Sequence, residues 1–266
     1  HLKFLMTTPH MPTVLCFSGH DPSGGAGVQS DIEVLTHFNC HPCSVLTCLT
    51  VQDSSTVHKL IPLNPNGIIE QATVLFDDIA IDVIKIGLTG SVECVEAIAD
   101  IIQQHPNIPV IFDPVLASGD GTSLASNQLI ESIKKRLLPF VTVLTPNTLE
   151  ARQLTGLSSD VSVELLGQRL LDTGVDYALI TGGHEHGNSI INTLFHNGQT
   201  IEQNSWERLV GEFHGSGCTL ATAIAAQFAL GKPIIEAVQV AQHYTDNALK
   251  NAVQIGKGQL FPKRTT

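Results

Sequence analysis

The sequence predicts a doubly wound α/β domain whose mostly parallel sheet is covered by helices on both faces. Three observations carry this expectation. Short β-rich runs alternate with helix-period segments along the chain, which calls for crossover connections and parallel pairing. Of 266 residues, 42% are hydrophobic and 15% charged, enough apolar surface for a substantial core and too much for a disordered chain. Unusual polar residues also follow the predicted strands, where sheets of this kind bind ligands.

Residues 13–18 read as a buried strand leading into a glycine-rich turn, and Val28, Ile32, Leu35 and Phe38 then recur at helical spacing. Residues 44–50 and 56–61 are further strands, followed by a helix over about 65–77. A strand at 82–87, a helix at 92–104 and a strand at 109–112 stopped by Asp113-Pro114 come next. Residues 129–138 are helical, and 141–144 form a strand that ends at Thr145-Pro146-Asn147. The strand at 176–180 ends at Thr181-Gly182-Gly183, and 189–195 with 199–205 form a hairpin around Asn197-Gly198. Helices at 218–230 and 234–251, separated by Gly231-Lys232-Pro233, complete the pattern. Residues 13–266 are expected to form a single domain, with 1–12 an amino-terminal extension in which His1 to Leu5, ahead of Met6, read as a cloning remnant.

Charge narrows the function. Twenty-five acids against fourteen Lys and Arg give a net charge of −11, so a duplex or an anionic bilayer would be repelled and neither nucleic acid nor membrane is expected as a partner. Nearly apolar runs such as 220–230 reach about half of the ~20 residues that a membrane span needs. The stretch 1–10 lacks the apolar core of a secretory segment, so the six cysteines are expected as reduced thiols in the cytoplasm. Cys40-His41-Pro42-Cys43 has the spacing of a metal or redox pair, but no second pair completes a tetrahedral site, which leaves core or turn cysteines. His184-Glu185-His186 lacks a third ligand and reads as a solvated loop.

Two glycine-rich turns carry the chemistry. Gly215-Ser216-Gly217-Cys218-Thr219 opens a long small-residue helix whose free amides and positive dipole end form a ready anion site. A thiol in that first turn is expected to have a lowered pKa. Tight helix–sheet packing accounts for the same glycines, and both readings stay open on this segment alone. Asp21-Pro22-Ser23-Gly24-Gly25-Ala26-Gly27 is neither G-x-G-x-x-G nor a P-loop, so a dinucleotide or Walker site is unsupported. It is a tight turn against which a small substrate could lie.

Eight segments occur in order: residues 18–27 with Gln29 and Asp31, Thr47-x-Leu49-Thr50-x-Gln52-Asp53, Lys85-Ile86-Gly87, Asp113-Pro114-Val115, Leu137-Leu138-Pro139, Thr145-Pro146-Asn147-x-x-Glu150-Ala151, Gly182-Gly183-His184 and His214 to Thr219. From about residue 13 to 261 the chain thereby resembles the hydroxymethylpyrimidine and phosphomethylpyrimidine kinases of thiamine biosynthesis, in the ribokinase-like superfamily. The resemblance implies a ribokinase-like fold, ATP and Mg²⁺ as cofactors, a homodimer, and phosphorylation of 4-amino-5-hydroxymethyl-2-methylpyrimidine and then of its monophosphate. It implies that the amides of Gly215, Ser216, Gly217 and Cys218 meet the transferring phosphoryl group, with Cys218 as catalytic base. Gly19, Asp31, Gln52 and Val115 match pyrimidine-pocket positions, Gln52 pairing with the ring's amino edge. Asn147, Thr181 and Gly183, with Gly215 and Gly217, match the nucleotide side, and Asp113 and Glu150 the magnesium side. An ordinary cap at Asn147, a first-turn acid at Glu150 and a loop hydrogen bond at Gln52 are the structural alternatives.

The chain departs from this pattern in three places. Thr181 stands where many relatives carry a lysine, Ser118-Gly119-Asp120-Gly121 follows Ala117 without the lysine of an A-K-S-G stretch, and Ser216 replaces threonine. Fewer cations near the polyphosphate shift the load to magnesium and the backbone. Pyridoxal or pyridoxine kinase activity on the same scaffold, and a pyrimidine-binding protein without catalysis, are the competing functions.

Overall fold

The strand Thr13–His20 (β1) is buried nearly throughout because it feeds two cores. Leu15 and Phe17 point into one, Val14 and Cys16 into the other, the period-2 alternation of a strand covered on both faces. The computed structural model describes residues 10–118, 121–183 and 187–265. The His184-Glu185-His186 motif, residues 1–9 of the expected extension, and Gly119 and Asp120 lie outside the described residues.

A helix Gly27–His37 (α1) connects β1 to His41–Gln52 (β2), and Val57–Pro62 (β3) folds back antiparallel on it. Then follow Pro65–Asp78 (α2), Val83–Ile86 (β4), Val92–Gln104 (α3), Val110–Phe112 (β5), Asn127–Ser132 (α4), Val143–Leu144 (β6), Thr148–Thr155 (α5) and Val163–Leu171 (α6). Tyr177–Ile180 (β7), Ser189–His196 (β8), Gln199–Glu207 (β9), Ser216–Ala229 (α7) and Ile234–Lys250 (α8) complete the order. The nine strands form one sheet in the order β3-β2-β1-β4-β5-β6-β7-β8-β9. Strands β2, β1, β4, β5, β6 and β7 are parallel, and β3, β8 and β9 join antiparallel at the edges. The order reverses at β1, which lies between β2 and β4, so a crevice opens beyond its carboxyl end.

Helices α2 to α6 pack on one face of the sheet, and α1, α7 and α8 on the other. Ala221, Ala223, Ala225 and Ala226 of α7 are fully buried, and their small side chains let the helix lie close to the strands. The alternation read from the sequence is observed, with differences in detail. The helix expected over 129–138 is α4 followed by a wider π turn at Ile133–Leu137 and a 3₁₀ turn at Leu138–Phe140, which Pro139 imposes by withholding an amide. Helices α5 and α6 were not foreseen. The hairpin turns through Asn197 (φ 50°) and Gly198 (φ 73°), the paired positive angles that match the twist of β8 and β9. Among the described residues no helix is long and apolar enough to cross a membrane.

Candidate active site

Beyond the carboxyl ends of the parallel strands lies a cavity of about 570 Å³, and both glycine-rich turns border it. Asp21 organises the first turn. Its carboxylate accepts the amides of Ser23 and Ala26, each at 2.8 Å, and meets His214 Nε2 at 2.9 Å. Burial alone would raise this carboxyl's pKa, but hydrogen bonds from His214, Gln52 and Ser23 hold it well below the usual range. His214 lies so close over Gly25 that a Cβ there would stand 2.0 Å from the ring, so only glycine fits. The two turns are thereby locked together.

Gly215 adopts the left-handed conformation (φ 68°) as N-cap of α7, and no side chain caps this helix start. A Cβ on Gly215 would collide with the Gly25 carbonyl oxygen at 2.2 Å. Ser216, Gly217 and Cys218 line the cavity, so the first amides and positive end of α7 face it. The start of α1 converges on the same point, since Ala26 and Gly27 line the cavity together with Cys218.

Cys218 corrects one expectation. Burial, then the charge of Asp113, push its thiol up to about 12, against the pull of Lys85 and the Gly27 amide. Half-buried among acids, the sulfur is a thiol in the ligand-free protein, and the helix dipole does not outweigh desolvation. All six cysteines are free.

Asp31 corrects another. It is fully buried beneath the cavity and does not line it. Its carboxylate accepts from Lys85 Nζ at 2.8 Å, Ser18 Oγ at 2.5 Å and Thr222 Oγ1 at 2.6 Å, tying β1, β4, α1 and α7 together. Such a satisfied buried carboxylate has no access to a ring in the pocket; Lys85 reaches the cavity floor instead. Burial disfavours the Lys85 ammonium, yet Asp31 above all, with Cys218 and Asp113, holds its pKa above the ordinary value.

Asn147 and Glu150 form a reciprocal capping box at the start of α5. Asn147 Oδ1 accepts the Glu150 amide at 2.9 Å, and Glu150 Oε2 accepts the Asn147 amide at 3.0 Å. Glu150 Oε1 also accepts the Leu116 amide at 3.3 Å. The structural alternatives at these two positions are therefore realised, and both residues also line the cavity. Asp113 and Glu150 are both pushed up by burial, Glu150 further by the Asp113 charge, while Lys85 and the Cys218 thiol pull Asp113 back. Asp113 Oδ2 is buried without a hydrogen-bond partner. An orphaned carboxylate oxygen beside a second raised carboxyl fits a divalent cation. Among the described residues no group of three or more His, Cys, Asp or Glu is placed to hold a metal, so such an ion would need phosphate oxygens and water as further ligands.

Thr181 and Gly183, matched in the sequence to the nucleotide side, line the cavity, Thr181 bridging to Asn147. Gln52 and Val115 line the opposite part, as does Gly19, where a Cβ would stand 2.9 Å from Cys48 Sγ. Sequence reasoning missed Gln259, a buried residue that walls the cavity, and the floor position of Lys85. A lysine in an otherwise apolar strand was a usable signal, because buried lysines are almost always paired. Gln259 gave none. A second depression, of about 760 Å³ between Arg169, Asp172, Asp176 and Asn197, lies at the amino end of β7, away from both turns.

The phosphomethylpyrimidine kinase family model matches residues 21–262. The chain belongs to the phosphomethylpyrimidine kinase family. The hydroxymethylpyrimidine/phosphomethylpyrimidine kinase of Streptomyces coelicolor is 35% identical over 250 residues, covering 93% of this chain and 92% of that protein. The thiamine biosynthesis bifunctional protein ThiED of Geobacter sulfurreducens is 34% identical over 249 residues, and the chain spans about half (51%) of its length. An ADP complex of Bacillus subtilis pyridoxal kinase superposes with a TM-score of 0.88 at 26% identity, covering 96% of this chain and 97% of that one. Phosphomethylpyrimidine kinase from Clostridium difficile gives 0.77 at 29% identity, covering 88% and 97%. The sheet of this phosphomethylpyrimidine kinase family member is thus ribokinase-like, and the glycine turn at Gly215 lies within the matched family region.

Proposed function

We propose that the protein transfers the γ-phosphoryl group of ATP to the hydroxymethyl group of 4-amino-5-hydroxymethyl-2-methylpyrimidine, and then to the resulting monophosphate, in thiamine biosynthesis. The observation that carries this reading is the uncapped, left-handed start of α7 at the floor of a cavity large enough for a single ring and a nucleotide's phosphates. Phosphoryl transfer asks mainly for positioning and charge stabilisation, and the amides of Gly215 to Cys218 supply oriented donors for both. Gln52 offers one donor and one acceptor in a plane to the ring's amino edge, with Val115 against its face and Gly19 behind. Asn147, Thr181 and Gly183 meet the nucleotide. Asp113 and Glu150 would hold Mg²⁺, which when bound would supply positive charge to the phosphates and offset the Asp113 charge that, after burial, keeps Cys218 protonated. To act as base, Cys218 would first release its own proton to solvent; the thiolate, stabilised by the Lys85 ammonium, would then accept the hydroxymethyl proton.

Two further readings rest on the surface and the thiols. Exposed Leu49, Val51 and Ile61 on the outer strands support a homodimer, which light scattering checks. Six free thiols suit the reducing cytoplasm.

The test is ADP release with ATP, Mg²⁺ and each acceptor in turn. Product with both pyrimidines is expected. Pyridoxal is the second acceptor to try, because the fold is so close to that of a pyridoxal kinase. Tight pyrimidine binding without ADP release would instead make this a binding protein.

A further inference from the structure

Arg264 is 2% exposed, does not line the cavity, and has no part in the reaction above. Its guanidinium nevertheless reaches the back of both glycine turns. Nε donates to Thr219 Oγ1 at 2.8 Å, and Thr219 Oγ1 donates to the Gly215 carbonyl at 2.8 Å. One terminal nitrogen donates to the Gly25 carbonyl and, at 3.4 Å, to that of His214. The other pairs with Glu33 at 3.1 Å on the outer side. A Cβ on Gly215 would stand 2.9 Å from the guanidinium, so the group packs directly against the residue that opens α7.

The segment that delivers Arg264 is itself fastened. The His214 amide donates to the Leu260 carbonyl at 2.9 Å, the Lys263 amide to that of Ala248 at 3.0 Å, and Tyr244 Oη to that of Arg264 at 2.8 Å. A cation at a helix start opposes the helix dipole, and the Glu33 carboxylate offsets that charge from the outer side. A planar fork holds its donors to a hydroxyl and two carbonyls in fixed directions, whereas a lysine ammonium is a point donor on a mobile stem.

We propose that Arg264 is a positioning residue for phosphoryl transfer: it clamps the turn at Gly25 to the start of α7, so that the amides of Gly215 to Cys218 are set before nucleotide arrives. The clamp rests on the kinase reading above. It acts on the transferring group and not on the acceptor pocket, so its loss falls on kcat and leaves the acceptor KM nearly unchanged.

Arg264→Ala, Arg264→Lys and Glu33→Gln are compared with the parent by steady-state kinetics and by amide hydrogen exchange. Arg264→Ala is expected to lose at least about ten-fold in kcat with acceptor KM within about two-fold, because small misplacement of stabilising groups is costly. Added guanidinium should restore part of that loss, Arg264→Lys should remain impaired, and Glu33→Gln should stay close to the parent. Exchange of the His214 and Thr219 amides, which donate to the Leu260 and Gly215 carbonyls at 2.9 Å each, should speed up in both Arg264 variants while Val83–Ile86 exchanges as before. Unchanged exchange, or a folded Arg264→Ala with parental kcat, overturns the clamp. If Arg264→Ala does not fold, Arg264→Lys carries the test with the same readouts. A parent without phosphoryl transfer defeats the kinase reading instead, and the exchange comparison still decides the clamp.

Discussion

Replacing Lys85 by methionine probes the charged floor of the site. Lys85 and Asp31 are both fully buried and meet at 2.8 Å. Methionine keeps most of the apolar stem and removes the ammonium, stranding the Asp31 carboxylate among apolar strands. Breaking a buried pair from one side costs about 3–5 kcal/mol. Ser18 and Thr222 still donate to the carboxylate at 2.5 and 2.6 Å, which places the expected loss at the lower end, about 3 kcal/mol. At roughly 2–4 °C per kcal/mol for a chain of this size, Tm falls by about 6–12 °C. Adding Asp31→Asn removes the stranded charge, and the double variant should regain about 2 kcal/mol as a coupling energy. Urea unfolding of the parent, both single variants and the double variant gives the cycle. A loss below about 1 kcal/mol in Lys85→Met, or no coupling, would refute the picture of a dry ion pair on which the floor rests.

Other perturbations test the remaining parts. Gly215→Ala drives a methyl group onto the Gly25 carbonyl and strains a left-handed residue; turnover should fall by about 10²-fold or more in a folded protein, and near-normal kcat would dissociate the α7 start from the chemistry. Cys218→Ala should lower kcat by roughly 10²-fold, and iodoacetamide should alkylate Cys218 slowly near neutral pH because its thiol is pushed up to about 12. Rapid alkylation would contradict the protonated thiol. Asp113 and Glu150 hold their protons more tightly folded than unfolded, so in metal-free protein their contribution to stability is full below the ordinary carboxylate range and is lost as pH rises through the raised values. Mg²⁺ needs both ionised, so its stabilisation in thermal melts should be larger at pH 8 than at pH 6; equal shifts would remove this pair as the cation site. Thr181→Lys should lower the ATP KM more than it changes kcat, and an unchanged KM would turn Thr181 away from the phosphates.

The strand–helix alternation was legible because β1, β4 and β5 are short apolar runs closed by polar or glycine residues. The start of α7 was legible only in company: tight helix–sheet packing accounts for the same glycines, and the other segments occurring in order with it pointed to a site. Helix α5 escaped because its exposed Leu149 and mixed face blur the period, and α6 because Gly167 interrupts it. That glycine faces the Phe195 ring, which a Cβ would approach to 2.5 Å, a tertiary constraint that no local pattern carries. Asp31 was misplaced for a related reason. Residue type announces a carboxylate, but only the fold reveals that a buried lysine from β4 claims it first. The thiol of Cys218 failed on magnitude, since a helix terminus acts through partial charges whereas burial beside Asp113 acts on the whole ion.

The contacts that join the two turns also have a history along the chain. Asp21 meets His214 across 193 residues, Asp31 meets Thr222 across 191, and Gly25 meets Arg264 across 239. The contacts of Glu150 close over far shorter spans, 3 residues to Asn147 and 34 to Leu116. Loop-closure entropy delays distant pairings relative to local ones. A growing chain therefore closes the capping box of α5 well before the two glycine turns can meet. The fastening of the two turns waits on the carboxyl-terminal segment, because the guanidinium that ties Gly25 to the start of α7 is among the last groups to join the chain.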